Sequence, residues 1–204
     1  MTLAVVTPWL DCLELTSGFW DAVDGADEVL VVDQGSTPPL TNAAIRLEEN
    51  VGYNRANNLG LQAATSDAVL FCNNDVVKTG PWLDGIREAV RPGVLVGAEF
   101  NPGHHAAVDG RPVPYLSGWC LAGMRADLLA SGGWDEGFEE PAYYGDNDLC
   151  ARARAVGMRL VHVPCALTHL GNYTTRRVDV SAVSARNRTR YEQRVRALRT
   201  PIAA

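Results

Sequence analysis

The sequence has no apolar run that approaches the roughly 20 residues needed for a membrane-spanning helix. Residues 1–6 contain no basic residue and only a short apolar run, which is typical of a first β-strand rather than of a signal peptide. Internal repeats and low-complexity linkers are missing as well. We therefore expect no transmembrane segment, and a location in the cytoplasm or peripherally at the inner face of the membrane.

The cysteines lack any Cys-x-x-Cys spacing and are odd in number. The five of them lie far apart, at Cys12, Cys72, Cys120, Cys150 and Cys165. Such a scattered set argues against a disulfide framework and against a zinc site, and it favours a reducing compartment.

The composition excludes several other classes. The 204 residues are 47% apolar and 21% charged, close to the average of globular proteins, so disorder, collagen and coiled coil are poor interpretations. The length suits one domain of ordinary size.

Negative charge dominates the chain except at its end. Residues 1–175 contain ten basic and 22 acidic residues, a net charge of −12, whereas residues 176–204 contain eight arginines and two acids, a net charge of +6. An acidic body is not a general nucleic-acid binder, but the basic tail has the charge to contact an anionic partner.

The first half of the chain alternates strand-like and helix-like segments. The predicted strands are 3–6, 29–32, 45–47, 68–71 and 94–97, and the predicted helices are 54–64 and 82–90. This β-α-β alternation predicts an α/β fold with a mostly parallel, twisted, Rossmann-like sheet and helices on both faces.

The second half is less regular. Residues 100–115 are predicted to form a long loop, and the adjacent His104 and His105 in it are either a mobile surface pair or a contact for an acceptor. We predict strands at 118–124 and 160–163 and helices at 125–130, 147–156 and 180–199.

Polar side chains follow three of the predicted strands. These are Asp33, the run Asn73-Asn74-Asp75, and His169. Ligands of open α/β sheets bind at the carboxyl ends of the strands, so we expect a ligand site there. Carboxylate and amide oxygens suit Mg²⁺ or Mn²⁺. Each motif also has a structural interpretation: Asp33 and residues 73–75 as turn formers, and His169 as a structural histidine.

A second acidic cluster precedes the predicted helix at 147–156. Residues 139–148 include two glutamates, two tyrosines and two aspartates. Asp148 is predicted to cap the helix, which leaves Asp146 to face the cleft as a general base.

Seven motifs occur in a fixed order along the chain. They are Val-Val-Asp-Gln-Gly-Ser (31–36), Asn-Val-Gly-Tyr-Asn-Arg-Ala-Asn-Asn-Leu-Gly (50–60), Leu-Phe-Cys-Asn-Asn-Asp-Val (70–76), Ser-Gly-Trp-Cys-Leu-Ala-Gly-Met-Arg (117–125), Gly-Gly-Trp-Asp-Glu-Gly-Phe (132–138), Tyr-Tyr-Gly-Asp-Asn-Asp-Leu-Cys-Ala-Arg-Ala (143–153) and Val-Pro-Cys-Ala-Leu-Thr-His (163–169). In this order they resemble the motifs of the family-2 glycosyltransferases, and particularly of their rhamnosyltransferase-like branch.

The resemblance covers roughly residues 1–172 and implies the GT-A fold in a single domain. That domain would span residues 1–175, with a nucleotide-binding half at about 1–100 and an acceptor and catalytic half at about 101–175. Residues 176–204 would be an Arg-rich, helical C-terminal tail.

The resemblance also implies roles for individual residues. Asp146 would be the catalytic base, and Asp75 and His169 would bind Mn²⁺ or Mg²⁺. Asp33 would bind the nucleotide base. The remaining residues implied to bind the nucleotide sugar are Thr7, Pro8, Asn50, Gly52, Arg55, Asn57, Asn73, Asn74, Gly118 and Trp119.

The sequence departs from the family pattern at two positions. Asn73 stands where the first acid of the family's Asp-x-Asp element is usual, so the metal motif has a single carboxylate. Gly145 replaces the usual glutamate of the Glu-Asp pair, which bears on how Asp146 is oriented.

The predicted reaction is a single in-line displacement that inverts the anomeric carbon, with a nucleoside-diphosphate sugar as donor. Asp33 and Arg55 favour a UDP or dTDP donor. A non-catalytic nucleotide-sugar or glycan-binding domain is the alternative. A nucleotidyltransferase is disfavoured, because residues 7–17 lack the glycine and basic residue of its phosphate loop.

The sequence leaves the acceptor open between a cell-surface or lipid-linked glycan and a hydroxylated DNA base. The arginines of the tail would contact an anionic membrane surface in the first case and DNA phosphates in the second, or form a solvated terminus. They are Arg176, Arg177, Arg186, Arg188, Arg190, Arg194, Arg196 and Arg199.

Overall fold

A computed structural model describes residues 1–141, 143–171 and 179–199. Six α-helices are found in them: α1 (Thr16–Ala22), α2 (Tyr53–Ala63), α3 (Leu83–Ala89), α4 (Arg125–Ala130), α5 (Gly145–Ala155) and α6 (Ser181–Arg199). A short 3-10 turn, Leu13–Leu15, precedes α1. The predicted helix at 125–130 is confirmed at both ends, whereas α1 was not predicted.

A seven-stranded sheet forms the centre of the molecule. In chain order its strands are β1 (Leu3–Trp9), β2 (Glu28–Gln34), β3 (Ile45–Leu47), β4 (Ala68–Cys72), β6 (Val94–Gly97), β9 (Cys120–Met124) and β10 (Arg159–His162). Their order across the sheet is β10-β6-β9-β4-β1-β2-β3. Strand β9 runs antiparallel to both of its neighbours and the other pairings are parallel, so the mostly parallel sheet is confirmed.

Two short antiparallel pairs lie outside this sheet. Strand β5 (Val76–Lys78) pairs with β11 (Leu167–His169), which places His169 opposite Val76. Strand β7 (Phe100–Asn101) pairs with β8 (Tyr115–Leu116). The segment 100–115, predicted to be a loop throughout, therefore begins and ends in β-structure.

Buried apolar side chains form a core on each face of the sheet. Alternation along β1 sends Ala4 and Val6 into one core and Leu3 and Val5 into the other. Leu61, Leu128, Leu149 and Tyr191 join the first core from α2, α4, α5 and α6. Phe19 and Ile86 join the second from α1 and α3. Helices therefore cover both faces, as the sequence pattern predicts.

The start of α5 corrects the prediction that Asp148 caps this helix. The helix begins at Gly145, two residues before the predicted start. Tyr144 holds the cap position with a left-handed backbone (φ 77°) and makes no side-chain cap. Asp148 lies within the first turn and pairs with Arg152 at 2.6 Å.

Helix α6 packs against the body of the protein. Tyr191 and Val195 are buried in the first core, and Asn187 is buried beside them. Among the helices of the described residues, none combines the length and hydropathy that a membrane span requires.

Candidate functional site

One cleft, with a volume of about 310 Å³, opens at the carboxyl ends of the central strands. Its inner wall follows strands of the sheets and comprises Pro8, Leu10, Gln34, Asn73, Asn74, Asp75, Gly118, Trp119 and His169. Its outer wall comprises Phe138, Glu139, Glu140, Pro141, Tyr143 and Tyr144, and Asp146 follows directly at the start of α5.

The structure brings most of the predicted site residues into this cleft. Lining it are Pro8, Asn50, Gly52, Asn73, Asn74, Asp75, Gly118, Trp119, Asp146 and His169. Four predicted residues do not line it: Thr7, Asp33, Arg55 and Asn57.

The β5–β11 pairing joins the end of β4 to His169. Nε2 of His169 lies 3.1 Å from Oδ1 of Asp75 and 3.2 Å from Nδ2 of Asn73. The imidazole ring stacks on the indole of Trp119, with ring centroids 4.9 Å apart and planes inclined by 11°. Packing therefore fixes the ring plane of His169 against the buried carboxylate of Asp75.

The donor atoms of Asp75 and His169 fit a divalent cation. Neighbouring ligands of an octahedral ion with bonds of about 2.1 Å lie about 3 Å apart, which is close to the separation found here. In the described part of the chain, no three His, Cys, Asp or Glu side chains converge on one point. Most of the coordination sphere is therefore left to water or to a bound ligand.

Asp146 lines the cleft at the start of α5, where backbone amides hold its carboxylate. The Gly118 N–H donates to Oδ2 at 3.0 Å, and the Asn147 N–H donates to Oδ1 at 2.9 Å. Burial raises the pKa of Asp146, although these two amides act to lower it. A carboxylate with a raised pKa and fixed orientation in a cleft is suited to accept a proton from a hydroxyl group.

Gly118 allows the two sides of the cleft to meet. A Cβ atom at this position would lie 3.0 Å from the Trp134 ring and 3.1 Å from Cβ of Asp146. The hydroxyl of Tyr53 lies 2.9 Å from the Gly118 carbonyl oxygen and 3.1 Å from Oδ1 of Asn73. Tyr53 therefore links Asn73, on the metal-binding side, to Gly118, the residue whose N–H binds Asp146.

Gly52 is needed for a reason other than ligand contact. Its backbone is left-handed (φ 92°), and a Cβ atom there would lie 2.2 Å from Cγ of Glu140. The Asn54 N–H, in the first turn of α2, donates to Oε1 of Glu140 at 3.1 Å. Glycine therefore lets an acidic side chain of the outer wall reach the positive end of the α2 dipole.

Asp33 does not take the position predicted for a base-binding residue. The side chain is fully buried and accepts hydrogen bonds from the backbone N–H groups of Ser36 (3.0 Å) and Leu40 (3.1 Å), and it pairs with Arg46. Although burial acts to raise the pKa of Asp33, these hydrogen bonds hold it below the usual value. The geometry corresponds to the turn-forming interpretation.

The other three residues outside the lining have distinct environments. Arg55 is exposed on α2. Thr7 and Asn57 are fully buried, and the Asn57 Nδ2 group donates to the Tyr53 carbonyl oxygen at 3.0 Å. Neither Oγ1 of Thr7 nor Oδ1 of Asn57 has a hydrogen-bond partner among the described residues.

Gln34 lines the cleft but was not predicted as a site residue. The side chain is 6% exposed, and its Oε1 atom has no hydrogen-bond partner in the described part of the chain. A buried amide oxygen at a cleft surface without a protein partner is suited to a ligand donor. The only feature of the sequence that could have identified Gln34 as a site residue was its position directly after Asp33.

Glu140, Tyr53 and Asn54 are further cleft residues missed by sequence reasoning. The Asn54 side chain also explains Gly145, because a Cβ atom at residue 145 would lie 2.7 Å from Oδ1 of Asn54. The Asn54 amide is held by the Asp135 carbonyl oxygen at 2.8 Å. The space beside Asp146 is therefore already filled by another polar side chain.

His105 lies away from the cleft lining. Its Nε2 atom is 2.7 Å from the Tyr115 hydroxyl, and the two rings pack edge to face. The side chain is exposed, in agreement with a surface position, but the contact with Tyr115 gives it a defined place.

The arginines of α6 are engaged with the protein itself. Arg186 pairs with Glu139, Arg190 and Arg194 pair with Asp135, and Arg196 pairs with Asp109. Arg188 pairs with Glu192 within the helix, and Arg199 donates to the Val108 carbonyl oxygen. Arg176 and Arg177 lie outside the described residues. The interpretation of the arginine-rich tail as a solvated terminus therefore does not hold for α6.

Comparison with known families gives one match. The profile described as glycosyl transferase family 2 matches residues 18–93, which is 76 of the 204 residues. No protein of curated function matches the chain significantly.

Solved structures share the fold at low sequence identity. Glucosyl-3-phosphoglycerate synthase from Mycobacterium tuberculosis, with Mn²⁺, UDP-glucose and phosphoglyceric acid, is 20% identical with a TM-score of 0.63, over 95% of this chain and 79% of that one. A mannosyltransferase from Pyrobaculum calidifontis, with GDP-mannose and Mn²⁺, is 20% identical with a TM-score of 0.58, over 79% of this chain and 54% of that one.

A third structure is the catalytic domain of Drosophila β1,4-galactosyltransferase 7 with xylobiose, 17% identical with a TM-score of 0.56, over 88% of this chain and 75% of that one. The chain spans about half the length of the archaeal mannosyltransferase. It has the GT-A fold, and the profile match and the structural neighbours support a glycosyltransferase.

Proposed function

We propose that this chain is a family-2 glycosyltransferase that inverts the anomeric carbon and depends on a divalent metal. It moves a sugar from a nucleoside-diphosphate sugar to an acceptor hydroxyl. The observation that carries the proposal is the convergence of the Asp75–His169 pair and the Asp146 carboxylate on one cleft. The rhamnosyltransferase-like branch remains a prediction.

Asp75 and His169 would hold Mn²⁺ or Mg²⁺, as the separation of their donor atoms supports. The bound ion would supply Lewis-acid stabilisation of the negative charge on the leaving diphosphate. An imidazole ligand favours Mn²⁺, because Mg²⁺ in proteins is bound mainly through oxygen. Structural neighbours named with Mn²⁺ agree with a divalent ion.

Asp146 would act as the general base. Its carboxylate accepts the proton of the acceptor hydroxyl as that oxygen bonds to the anomeric carbon, and the bond to the diphosphate oxygen breaks on the opposite side. One displacement of this kind inverts the configuration. The Gly118 and Asn147 amides orient the carboxylate, so no residue equivalent to the missing glutamate at position 145 is needed for that purpose.

The nucleobase contact predicted for Asp33 is reassigned to Gln34. The Oε1 atom of Gln34 can accept an N–H of a nucleobase, and its Nε2 group can donate to a base carbonyl. The preference for a UDP or dTDP donor rested on Asp33 and Arg55. The cleft lining does not support this preference, because neither residue is part of it. Neighbours named with UDP-glucose and with GDP-mannose share the fold. The donor screen must therefore include GDP-sugars as well as UDP- and dTDP-sugars.

The test is the release of nucleoside diphosphate from UDP-, dTDP- and GDP-sugars, in the presence of Mn²⁺ or of a chelator. Wild type is compared with Asp146→Asn, which preserves size and removes the base. Asp24→Asn is the matched control, because Asp24 is an exposed carboxylate outside the cleft lining. We expect slow release from one donor, dependent on the metal, lost in Asp146→Asn and kept in the control.

Two other results would change the proposal. Metal-dependent nucleotide binding with no turnover, even with acceptors present, favours the non-catalytic binding domain. An absence of nucleotide binding under all conditions rejects the glycosyltransferase function.

A further inference from the structure

Resting on the proposed function, we propose that the outer wall of the cleft is a binding subsite for an uncharged sugar, and that the acceptor is therefore a neutral glycan rather than a phosphorylated compound or DNA. The proposal narrows the acceptor class that the sequence leaves open. Three features support the subsite: the negative charge of the cleft, the aromatic rings of the outer wall, and the contacts by which α6 holds this wall.

The charge of the cleft disfavours an anionic acceptor. Four carboxylates line it, at Asp75, Glu139, Glu140 and Asp146, and no lysine or arginine lines it in residues 1–141, 143–171 and 179–199. Arg186 compensates Glu139, and the proposed metal would compensate Asp75. The hydrogen bonds described for the carboxylates of Glu140 and Asp146 come from backbone N–H groups. A phosphate brought beside them would meet uncompensated negative charge.

The outer wall offers the groups that bind a neutral sugar. Tyr143 is 47% exposed, an unusual exposure for an aromatic ring, and Tyr144 and Phe138 line the cleft next to it. Aromatic rings provide apolar surface against the C–H face of a sugar ring. The Glu140 carboxylate can accept hydrogen bonds from sugar hydroxyls. Convergent aromatic and polar groups in a concave surface are typical of a small-molecule subsite.

Helix α6 holds this wall in place. The buried Asn187 side chain makes two hydrogen bonds with the peptide of Glu139, accepting from its N–H at 2.8 Å and donating to its carbonyl oxygen at 2.7 Å. The ring of Tyr191 stacks on Tyr144, with centroids 5.4 Å apart. The helix that carries the basic charge therefore supports the subsite. Its arginines pair with the body of the protein or, in the case of Arg188, with Glu192 of the same helix, so each already has a partner within the protein.

The experiment measures sugar binding directly, so it does not need the natural acceptor. Saturation-transfer NMR of the full chain with Mg²⁺ is recorded for methyl glycosides of glucose, galactose, mannose, N-acetylglucosamine and rhamnose. Each neutral probe whose anionic form is available is paired with its 6-phosphate or uronic acid. Phosphoglyceric acid and an oligonucleotide containing hydroxymethylated bases complete the anionic set.

We expect at least one neutral glycoside to bind and its phosphorylated counterpart to bind at least about tenfold more weakly, because of repulsion by Glu140 and Asp146. Glu140→Gln keeps an acceptor for the Asn54 N–H and removes the negative charge. It should therefore reduce the difference in affinity between the neutral glycoside and its phosphorylated counterpart. Tyr143→Ala should weaken the neutral probe. Glu88→Gln, an exposed carboxylate on α3 outside the cleft lining, should change neither.

Three results overturn the proposal: equal or tighter binding of a phosphorylated or uronic-acid probe, preferential binding of the oligonucleotide, or binding of no neutral glycoside. Metal-dependent nucleotide binding is measured on the same sample. Its loss would refute the proposed function, whereas nucleotide binding without neutral-sugar binding would refute only the subsite.

Discussion

The two walls of the cleft are built in different ways. The inner wall consists of strand ends and of residues that lie next to them in the chain, so the hydrogen bonds of the sheet determine its positions. The outer wall is a loop, held by side chains of a helix that lies about 50 residues further along the chain. The difference indicates that donor binding and acceptor binding can be disturbed separately, and four substitutions test this.

The largest effect is expected where the walls meet. Asp146→Asn should lower kcat by about 10²–10⁴-fold, the usual contribution of general base catalysis, and leave nucleotide affinity unchanged. Burial raises the pKa of Asp146, and the base works only when ionised. Wild-type activity should therefore fall as the pH decreases through a value above that of an ordinary aspartate, and the variant should lose this limb of the pH profile. A loss below tenfold would exclude Asp146 as the base.

The second substitution acts on the inner wall alone. Asp75→Ala should weaken metal-dependent nucleotide binding by about 100-fold or more, because even supporting residues around a metal are worth 10–100-fold in affinity. Sugar binding at the outer wall should persist. Calorimetric titration of the nucleotide with and without Mn²⁺ measures the effect, and normal binding with the metal present would show that the metal site is misassigned.

The third substitution acts on the outer wall from outside the cleft. Asn187→Ala removes a buried side chain and both of its hydrogen bonds to the backbone of Glu139, which should reduce the free energy of unfolding by about 1–3 kcal/mol. Binding of neutral glycosides should weaken more than binding of nucleotide. Thr189→Ala, on the exposed face of the same helix, is the control for urea unfolding. Equal weakening of both ligands would mean that the walls are not independent.

The smallest effect is expected for the ion pair between α6 and the outer wall. Arg186 and Glu139 are both about half exposed, and exposed ion pairs contribute little because water and salt screen them. Arg186→Ala should leave the urea midpoint unchanged at moderate salt. A clear destabilisation would show that charge, rather than the Asn187 amide and the Tyr191 ring, fixes the wall.

The sequence predicted the inner wall better than the outer one, for a physical reason. Local periodicity and turn residues locate strand ends, and the polar residues at the end of β4 could be assigned before the fold was known. The carboxylate of Asp33 and the amide of Gln34 are adjacent at the end of β2, and only tertiary contacts decide which one faces the cleft.

The outer wall depends on contacts that no local pattern encodes. The hydrogen bond of Asn54 to Asp135 spans 81 residues, and it removes the space for a side chain at position 145. The left-handed backbone of Tyr144 starts α5 earlier than capping preferences indicate, so Asp148 lies in the first turn of the helix instead of at its cap. The charge pattern identified a basic tail, but it did not show that the partners of the arginines are Glu192 within the helix and acids of the body distributed from Asp109 to Asp148.

The hydroxyl of Tyr53 has a consequence for how the two sides of the cleft are coupled. It has one hydrogen and two acceptors, Asn73 and Gly118, so it can serve only one of them fully at a time. A ligand that engaged the Asn73 oxygen would release this hydrogen to the Gly118 carbonyl. That carbonyl belongs to the peptide bond between Gly118 and Trp119, and the Trp119 ring stacks on His169. The hydroxyl therefore forms a switchable contact between the end of β4 and the segment that carries Gly118 and Trp119.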